Sequence, residues 1–400
     1  MVPPAMSEAG SVIIYRGFYN EKTIKLFIAM LLFVVPVILL IVLLGYAKQS
    51  ENQGTEEPLE TEESKMPETV ESLPEEPEIV YDPPEYPFTT DEITVYIGGL
   101  TEEYTIAFVN DLHLVTDTEV GHVLEEELPE VMKRYNELSV TADGKHAEDL
   151  WPEVIKYLNY NDFDAVIFGG DLLDYCSPSN IEVLEQGFDQ LKYDRDRVIY
   201  LRSDHDYIGT YGGSQYTDAD GVAAQAQLWD GDSEEKVIDL GEFLIVGINR
   251  SYQNLSDERL EYLNKELRDG RPVIVATHVP FYSEEDAESL EARSMEIRNR
   301  IYYWNKTDSV YSPDENTQKF IDEMYAPGSN VVQILAAHLH ASWDGKATKK
   351  VGEHIFAPAY SGSIGIIHVT GQKVQETETG DVSSNNAIKE KQNEEKDPEK

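Results

Sequence analysis

The chain has 400 residues, with 32 Lys and Arg against 76 Asp and Glu, which gives a formal net charge of −44. So acidic a protein repels the phosphate backbone of nucleic acids, and we predict no nucleic-acid-binding surface. The single cysteine, Cys176, excludes an internal disulfide and a cysteine-rich metal site.

Near the N-terminus, residues 26–46 form an apolar run without a charge. A helix of this length spans roughly 30 Å of hydrocarbon, so we predict a transmembrane helix. Basic residues precede the run and acidic residues follow it, which predicts a cytoplasmic N-terminus over 1–25 and an extracytoplasmic remainder. The run would then be an uncleaved signal-anchor in the cell membrane. The alternative is a cleaved signal peptide, because Gly45-Tyr46-Ala47 has the small-x-small form of a cleavage site.

The next segment, residues 47–92, is acidic and rich in proline. Within it, residues 51–92 hold 15 Asp or Glu and one Lys, Lys65. Because like charges repel and proline favours an extended chain, this composition cannot bury enough apolar surface to fold. We therefore predict a stalk over 47–92 and a folded domain over 93–370. The polar, charged residues 371–400 predict a disordered tail.

Between 93 and 370, short apolar runs alternate with stretches of helical periodicity. Several runs are unbroken Val, Ile, Leu and Phe, which is typical of strands covered on both faces. The alternation predicts an α/β fold, in which ligands gather at the carboxyl ends of strands. The predicted strands are Thr105–Val109, Ala165–Phe168, Val198–Leu201, Phe243–Ile248, Val273–Ala276, Val331–Ala336 and Ile364–Val369, and the predicted helices cover about 123–138, 147–160, 180–192, 257–268 and 314–325.

Five of these strands are followed by Asp, His or both. A single Asp or His after a strand is more often a helix cap or a turn residue. Five together predict instead a site for a pair of divalent first-row metal ions, because carboxylates and imidazoles are ligands that such ions accept. The residues are Asp111 and His113 after the first strand, Asp171 and Asp174 after the second, Asp204, His205 and Asp206 after the third, His278 after the fifth, and His338 and His340 after the sixth.

The order and spacing of these residues resemble the calcineurin-like metallophosphoesterase superfamily. That family's pattern runs Asp-x-His, Gly-Asp-x-x-Asp, Gly-Asn-His-Asp, a lone His and Gly-His-x-His, and all five blocks have counterparts here in that order. The resemblance implies a four-layer α/β sandwich with two mixed sheets. It also implies that Asp111, His113 and His340 bind one metal, that Asp171 bridges both, that His278, His338 and Asp204 bind the second, and that Asp174 supports these ligands.

The resemblance further implies hydrolysis of a phosphate ester by a hydroxide that bridges the two metals. It implies that His205 donates a proton to the leaving group and that Asp206 orients His205. The ligands suit two divalent ions, or one trivalent and one divalent ion, of manganese, zinc or iron. The expected partners are thus a phosphoester substrate and, through the N-terminal helix, the membrane.

The chain departs from the family pattern at two positions. Ala337 replaces the first Gly of Gly-His-x-His, a mild change where the backbone angle is ordinary. Asp204 replaces the usual Asn and adds a negative charge, which weakens the attraction for an anionic phosphate. Because monoesters carry more charge than diesters, this change favours a phosphodiester substrate. The alternative is a catalytically weak surface receptor that binds metal or phosphoryl ligands.

Two stretches are predicted to shape access to these residues. Residues 207–221 are rich in Gly and Tyr, and residues 281–312 carry Tyr302, Tyr303 and Trp304. Their aromatic side chains could stack on a base or sugar of the substrate, or they could pack against the domain instead.

Overall fold

The computed structural model describes residues 80–116, 125–126, 128–209, 217–228, 231–306 and 310–372. The predicted cytoplasmic segment 1–25, the transmembrane helix 26–46, most of the stalk 47–92 and the tail from 373 lie outside these residues. Of the helices within the described ranges, none combines the length and the apolar character that crossing a membrane requires.

The described residues form eleven strands and eight α-helices. The strands are β1 (Thr89–Tyr96), β2 (Tyr104–Val109), β3 (Ala165–Gly169), β4 (Val198–Leu201), β5 (Val237–Asp239), β6 (Leu244–Ile248), β7 (Val273–Thr277), β8 (Val331–Ala336), β9 (Trp343–Lys346), β10 (Gly352–Ile355) and β11 (Ser363–Thr370). The helices are α1 (Leu128–Glu137), α2 (Ala147–Tyr160), α3 (Pro178–Phe188), α4 (Asp204–Tyr207), α5 (Asp218–Gln225), α6 (Asp257–Leu267), α7 (Ala287–Arg298) and α8 (Glu315–Tyr325).

The strands form two mixed sheets, as predicted. Sheet one has the order β1-β11-β2-β3-β4, and in it β11 runs parallel to β1 and antiparallel to β2. Sheet two has the order β5-β6-β7-β8-β10-β9, with antiparallel pairing only at its two edge strands. Strands β2, β3 and β4 of sheet one, and β6, β7 and β8 of sheet two, are parallel, so their carboxyl ends lie at one edge of each sheet.

Apolar side chains pack between neighbouring layers of the domain and form three cores. The central core joins the facing sides of the sheets and includes Phe108 of β2 and Ile274 of β7. A second core joins the other side of sheet one to α2 and α3, and contains Trp151. A third joins the other side of sheet two to α6 and α8, and contains Phe320. The order helix, sheet, sheet, helix confirms the predicted four-layer sandwich.

Local sequence explains where these elements form. Every residue of β3, β6 and β7 is buried, as expected of unbroken apolar runs covered on both faces. Four helices begin at side chains that accept a hydrogen bond from the first turn, which satisfies an otherwise unpaired backbone N–H. These caps are Ser177 for α3, Thr217 for α5, Ser256 for α6 and Asp314 for α8.

The domain begins earlier than the predicted boundary at residue 93. Strand β1 starts at Thr89 and pairs with β11, while Tyr86 and Phe88 pack against the core of α2 and α3. The end of the predicted stalk therefore belongs to the folded domain. Val95 is the one buried residue of β1, and most of the other positions are Thr, Asp or Glu. This polar composition is also typical of a stalk, so the sequence did not distinguish the two. Helix α7 likewise lies within 281–312, where we predicted a loop.

Candidate metal centre

The five groups of Asp and His that follow strands meet at the carboxyl edges of the two sheets. Backbone hydrogen bonds join the loops: Asp111 N donates to Gly170 O over 3.0 Å, and His113 N donates to Asp171 O over 3.0 Å. The loop of His338 is tied to the same place, because its backbone N donates to Asp111 Oδ2 over 3.0 Å. The site is thus built by loops from both sheets that hold one another.

The backbone at these loops is unusual. Seven non-glycine residues among those described have positive φ, and five of them are predicted metal ligands. Such left-handed conformations cost on the order of 1 kcal/mol or more per residue and cluster at functional sites. They turn the side chains inward at the sheet edge. The five are Asp111 (47°), His113 (50°), Asp171 (52°), His338 (72°) and His340 (59°).

One group of possible ligands consists of Asp111, His113 and His340, whose ligand atoms all lie within 4.8 Å of one another. His340 Nε2 lies 3.3 Å from Asp111 Oδ1 and 3.0 Å from His113 Nε2. Asp111 and His113 are almost completely buried. This is the set that the family resemblance assigns to the first metal.

A second group consists of Asp171, His278 and His338, again within 4.8 Å. His278 Nε2 lies 3.2 Å from Asp171 Oδ2 and 3.0 Å from His338 Nδ1. Asp171 also forms a group with His113 and His205. Because His113 belongs to the first group, Asp171 lies close to ligands of both groups, which is the placement expected of a ligand that contacts both metals.

The residues of both groups fit bound cations. Asp111 Oδ1 and Asp171 Oδ1 are buried and have no hydrogen-bond partner among the described residues. An unpartnered buried carboxylate oxygen is costly, and a bound cation would remove the cost. Imidazole nitrogens face each other at 3.0 Å in two places, as expected where two rings point at one ion. Mixed carboxylate and imidazole ligands suit first-row transition metals.

The protonation of the site favours cations as well. Burial alone would raise the pKa of Asp111, but His340 and His278 outweigh it and hold this pKa below its usual range. The pKa of Asp171 is likewise well below its usual range, despite burial, because of His278 above all. Burial lowers the pKa of His340 to about 4. Both carboxylates are therefore ionised at neutral pH, and despite burial their charges raise the pKa of His278 to about 10, so a bound cation would replace the proton that this ring carries.

Neighbouring groups fix the rings of three histidine ligands. His113 Nδ1 lies 3.0 Å from Asp174 Oδ1, the supporting role predicted for Asp174. His278 Nδ1 donates to Gly169 O over 2.9 Å, and His338 Nε2 lies 2.8 Å from the hydroxyl of Tyr311. Each contact occupies one ring nitrogen and leaves the other directed at the centre, which is how outer groups usually orient metal-binding histidines.

Two residues that support the histidine ligands, Arg134 and Tyr311, were missed by the sequence analysis. Arg134 of α1 donates from Nε to Asp174 Oδ2 over 2.7 Å, so it holds the carboxylate that holds His113. Tyr311 comes from the segment after α7. Neither residue follows a strand or lies in a recognisable motif, so the sequence carries no local signal for them.

The structure corrects the orientation predicted for His205. Asp206 was expected to orient this ring, but its carboxylate accepts hydrogen bonds from the backbone N–H groups of Asp171, Leu173 and Ser203. His205 Nδ1 donates instead to the backbone carbonyl of Asp174 over 2.6 Å. Asp206 therefore joins the loops after β3 and β4, and Asp174 directs Nε2 of His205.

Asp204 stands at the start of α4, beside the two ligand groups. Its Oδ1 accepts a hydrogen bond from Ser203 Oγ over 3.0 Å, and the carboxylate belongs to none of the three ligand groups among the described residues. Its charge nevertheless acts on His205 and on Tyr302. Its role as a metal ligand stays a prediction.

The aromatic residues of 281–312 pack within the domain. Tyr303 and Trp304 are buried in the core of sheet two. The ring of Tyr302 stacks on that of His338, with centroids 4.1 Å apart and planes at 11°. Packing against the domain is thus the interpretation that holds for Tyr303 and Trp304, whereas Tyr302 contacts a metal ligand.

Comparisons with known proteins agree with this geometry. Residues 104–342 match the model of the calcineurin-like phosphoesterase family. No curated protein matches the chain. Similar solved structures include a dimetal phosphatase from Danio rerio (10% identity, 64% of this chain, 88% of that chain, TM-score 0.39). They also include phosphopantetheinyl hydrolase from Mycobacterium tuberculosis (13%, 64%, 90%, 0.33) and a purple acid phosphatase from yellow lupin (14%, 68%, 45%, 0.35).

The family match spans more than half of the chain and contains all of the candidate metal ligands. The family match, the two sheets and the paired Asp and His groups together support a metal-dependent phosphoester hydrolase. The chain belongs to the calcineurin-like phosphoesterase family.

Proposed function

We propose that this protein hydrolyses a phosphodiester on the extracytoplasmic side of a membrane. The observation that supports a phosphodiester substrate is the negative charge of the side chains at the centre. Asp111 and Asp171 are ionised and buried in it, and Asp204 adds a further carboxylate beside it. A diester carries less negative charge than a monoester, so the electrostatic repulsion that opposes its binding at such a site is smaller.

Residues of the chain would bind the ions and move the proton. The two groups described above would hold two ions, which when bound supply Lewis acidity toward the phosphoryl oxygens and lower the pKa of a water molecule between them. Water adds to phosphorus, and the bond between phosphorus and the leaving oxygen breaks. His205 gives the leaving oxygen its proton from Nε2, because Nδ1 is held by Asp174.

The variant Asp204→Asn tests the choice of ester. We expect its ratio of kcat/KM for bis(p-nitrophenyl) phosphate to that for p-nitrophenyl phosphate to fall by about fivefold, because one carboxylate near the phosphate contributes on the order of 1 kcal/mol of repulsion. The full chain would be assayed in detergent with manganese, zinc or iron. An unchanged ratio would remove the argument for a diester. Metal binding without turnover of either ester by the unaltered protein would favour the receptor interpretation.

The location rests on residues 26–46 and on the basic residues before them. A protease added to intact spheroplasts should remove an epitope placed at the C-terminus and spare one placed before residue 26. The opposite pattern, or release of the protein from washed membranes, would refute the proposed topology.

A further inference from the structure

The end of α7 brings two arginines to a tyrosine that lies against the metal centre. The helix ends at Arg298, and Asn299 caps it in the left-handed conformation, with φ 53°. The turn allows both Arg298 and Arg300 to reach the ring of Tyr302, at 5.0 and 4.3 Å from its centroid. Tyr302 in turn stacks on His338. Two positive charges therefore lie one ring away from a metal ligand.

The two arginines differ in how they are held. Arg298 is half-buried, and its guanidinium donates to the backbone carbonyl of His338 over 2.7 Å. Its Nε is buried without a hydrogen-bond partner among the described residues. Arg300 is exposed, and its contact with Tyr302 is the one interaction found for its side chain within the described ranges. Arg298 is thus fixed to the site, while the guanidinium of Arg300 has all its donors available.

Arg300 has no acidic partner among the described residues, although acidic residues outnumber basic ones in the chain by more than two to one. Several other arginines of the domain pair with carboxylates: Arg134 with Asp174, Arg250 with Asp232, Arg268 with Glu323, and Arg271 with Asp239. Arg300 instead lies beside the candidate active centre, where a substrate could supply an anion.

The charges around Tyr302 support the same interpretation. Its pKa is raised, chiefly by burial, and the charges of Arg298, Asp204 and Arg300 all act on its phenol. The carboxylate and the two guanidinium groups therefore all lie near one ring. An anionic group of a substrate would be repelled by Asp204 and attracted by Arg300.

We propose that Arg300 binds a second acidic group of the substrate, a carboxylate or a further phosphate, while the ester phosphate lies at the metal centre. Arg298 is a positioning residue that fixes the turn against His338. The substrate class is thus a phosphoester whose organic part carries another anion. The inference rests on the proposed function in one respect, since it takes the metal centre as the place of the ester phosphate.

Equilibrium binding tests the inference separately from catalysis. The metal-loaded full chain would be titrated calorimetrically with carboxyalkyl phosphates of increasing arm length, and with alkyl phosphates of the same lengths. We expect one arm length to bind about tenfold more tightly with the carboxylate than without it, a difference of about 1.4 kcal/mol, because Arg300 would donate a charge-assisted hydrogen bond to the carboxylate. Arg300→Ala should abolish this preference, and Arg300→Lys should retain part of it.

Arg268→Ala is the matched control, since it also removes an exposed arginine but lies at the end of α6, paired with Glu323. It should leave the preference unchanged. Equal binding of the carboxylate and alkyl series by the unaltered protein would overturn the inference, as would equal losses in the Arg300→Ala and Arg268→Ala variants. Selective binding without turnover of any phosphodiester would instead count against the proposed function and leave the role of Arg300 standing.

Discussion

Replacing Asp171 with Asn should lower kcat for any phosphoester substrate by on the order of 10³-fold or more. Asp171 is the carboxylate shared by two of the ligand groups, and its Oδ1 is buried without a hydrogen-bond partner among the described residues. The amide removes one negative charge and one oxygen ligand from between the two ion positions. We therefore expect weaker binding of both ions, measured as metal content after dialysis and as kcat with a chromogenic diester.

Thermal unfolding gives this prediction a second readout. An ion that binds only the folded state raises the free energy of unfolding in proportion to the logarithm of its concentration over Kd. Added metal should raise the Tm of the unaltered protein and of Asp162→Asn, an exposed carboxylate paired with Lys192, by the same amount. It should raise the Tm of Asp171→Asn by less. Full metal content with normal kcat in Asp171→Asn would contradict the bridging role.

The sequence alone predicts the ligands of the site because each one directly follows a buried strand. Asp111, Asp171 and His278 need no knowledge of side-chain packing to be found, since parallel strands bring their carboxyl ends to the same edge. The order of the five groups adds a family resemblance that one group would not support. The four-layer architecture follows from the same apolar runs.

The partners of those ligands could not be predicted in the same way. Arg134 reaches Asp174 from a helix 40 residues earlier, and Tyr311 reaches His338 from 27 residues away. Such contacts depend on tertiary packing and leave no pattern in the local sequence. Asp206 shows the converse error: the family resemblance implied that it orients His205, but the backbone N–H groups of the β3 loop hold its carboxylate.

Strand β1, at the edge of sheet one, was not predicted, for a different reason. Most positions of β1 carry Thr, Asp or Glu, which give no apolar alternation strong enough to distinguish a strand from a charged stalk. Its assignment depends on pairing with β11, more than 260 residues later along the chain. Strands that are defined by such distant pairing are the ones that sequence patterns miss.

Replacing His205 with Gln should lower kcat by about 10²–10⁴-fold for an alkyl ester but much less for a p-nitrophenyl ester. An alkoxide must receive a proton as it leaves, whereas p-nitrophenolate leaves without one, so loss of a proton donor separates the two substrates. His368→Gln is the matched control, because His368 is an exposed histidine on β11 outside the ligand groups, and it should leave both rates unchanged. His205 also lies within 4.8 Å of ligand atoms of His113 and Asp171, so metal content must be measured alongside the rates. Equal losses for both esters, accompanied by loss of an ion, would show that His205 is a metal ligand and not the proton donor.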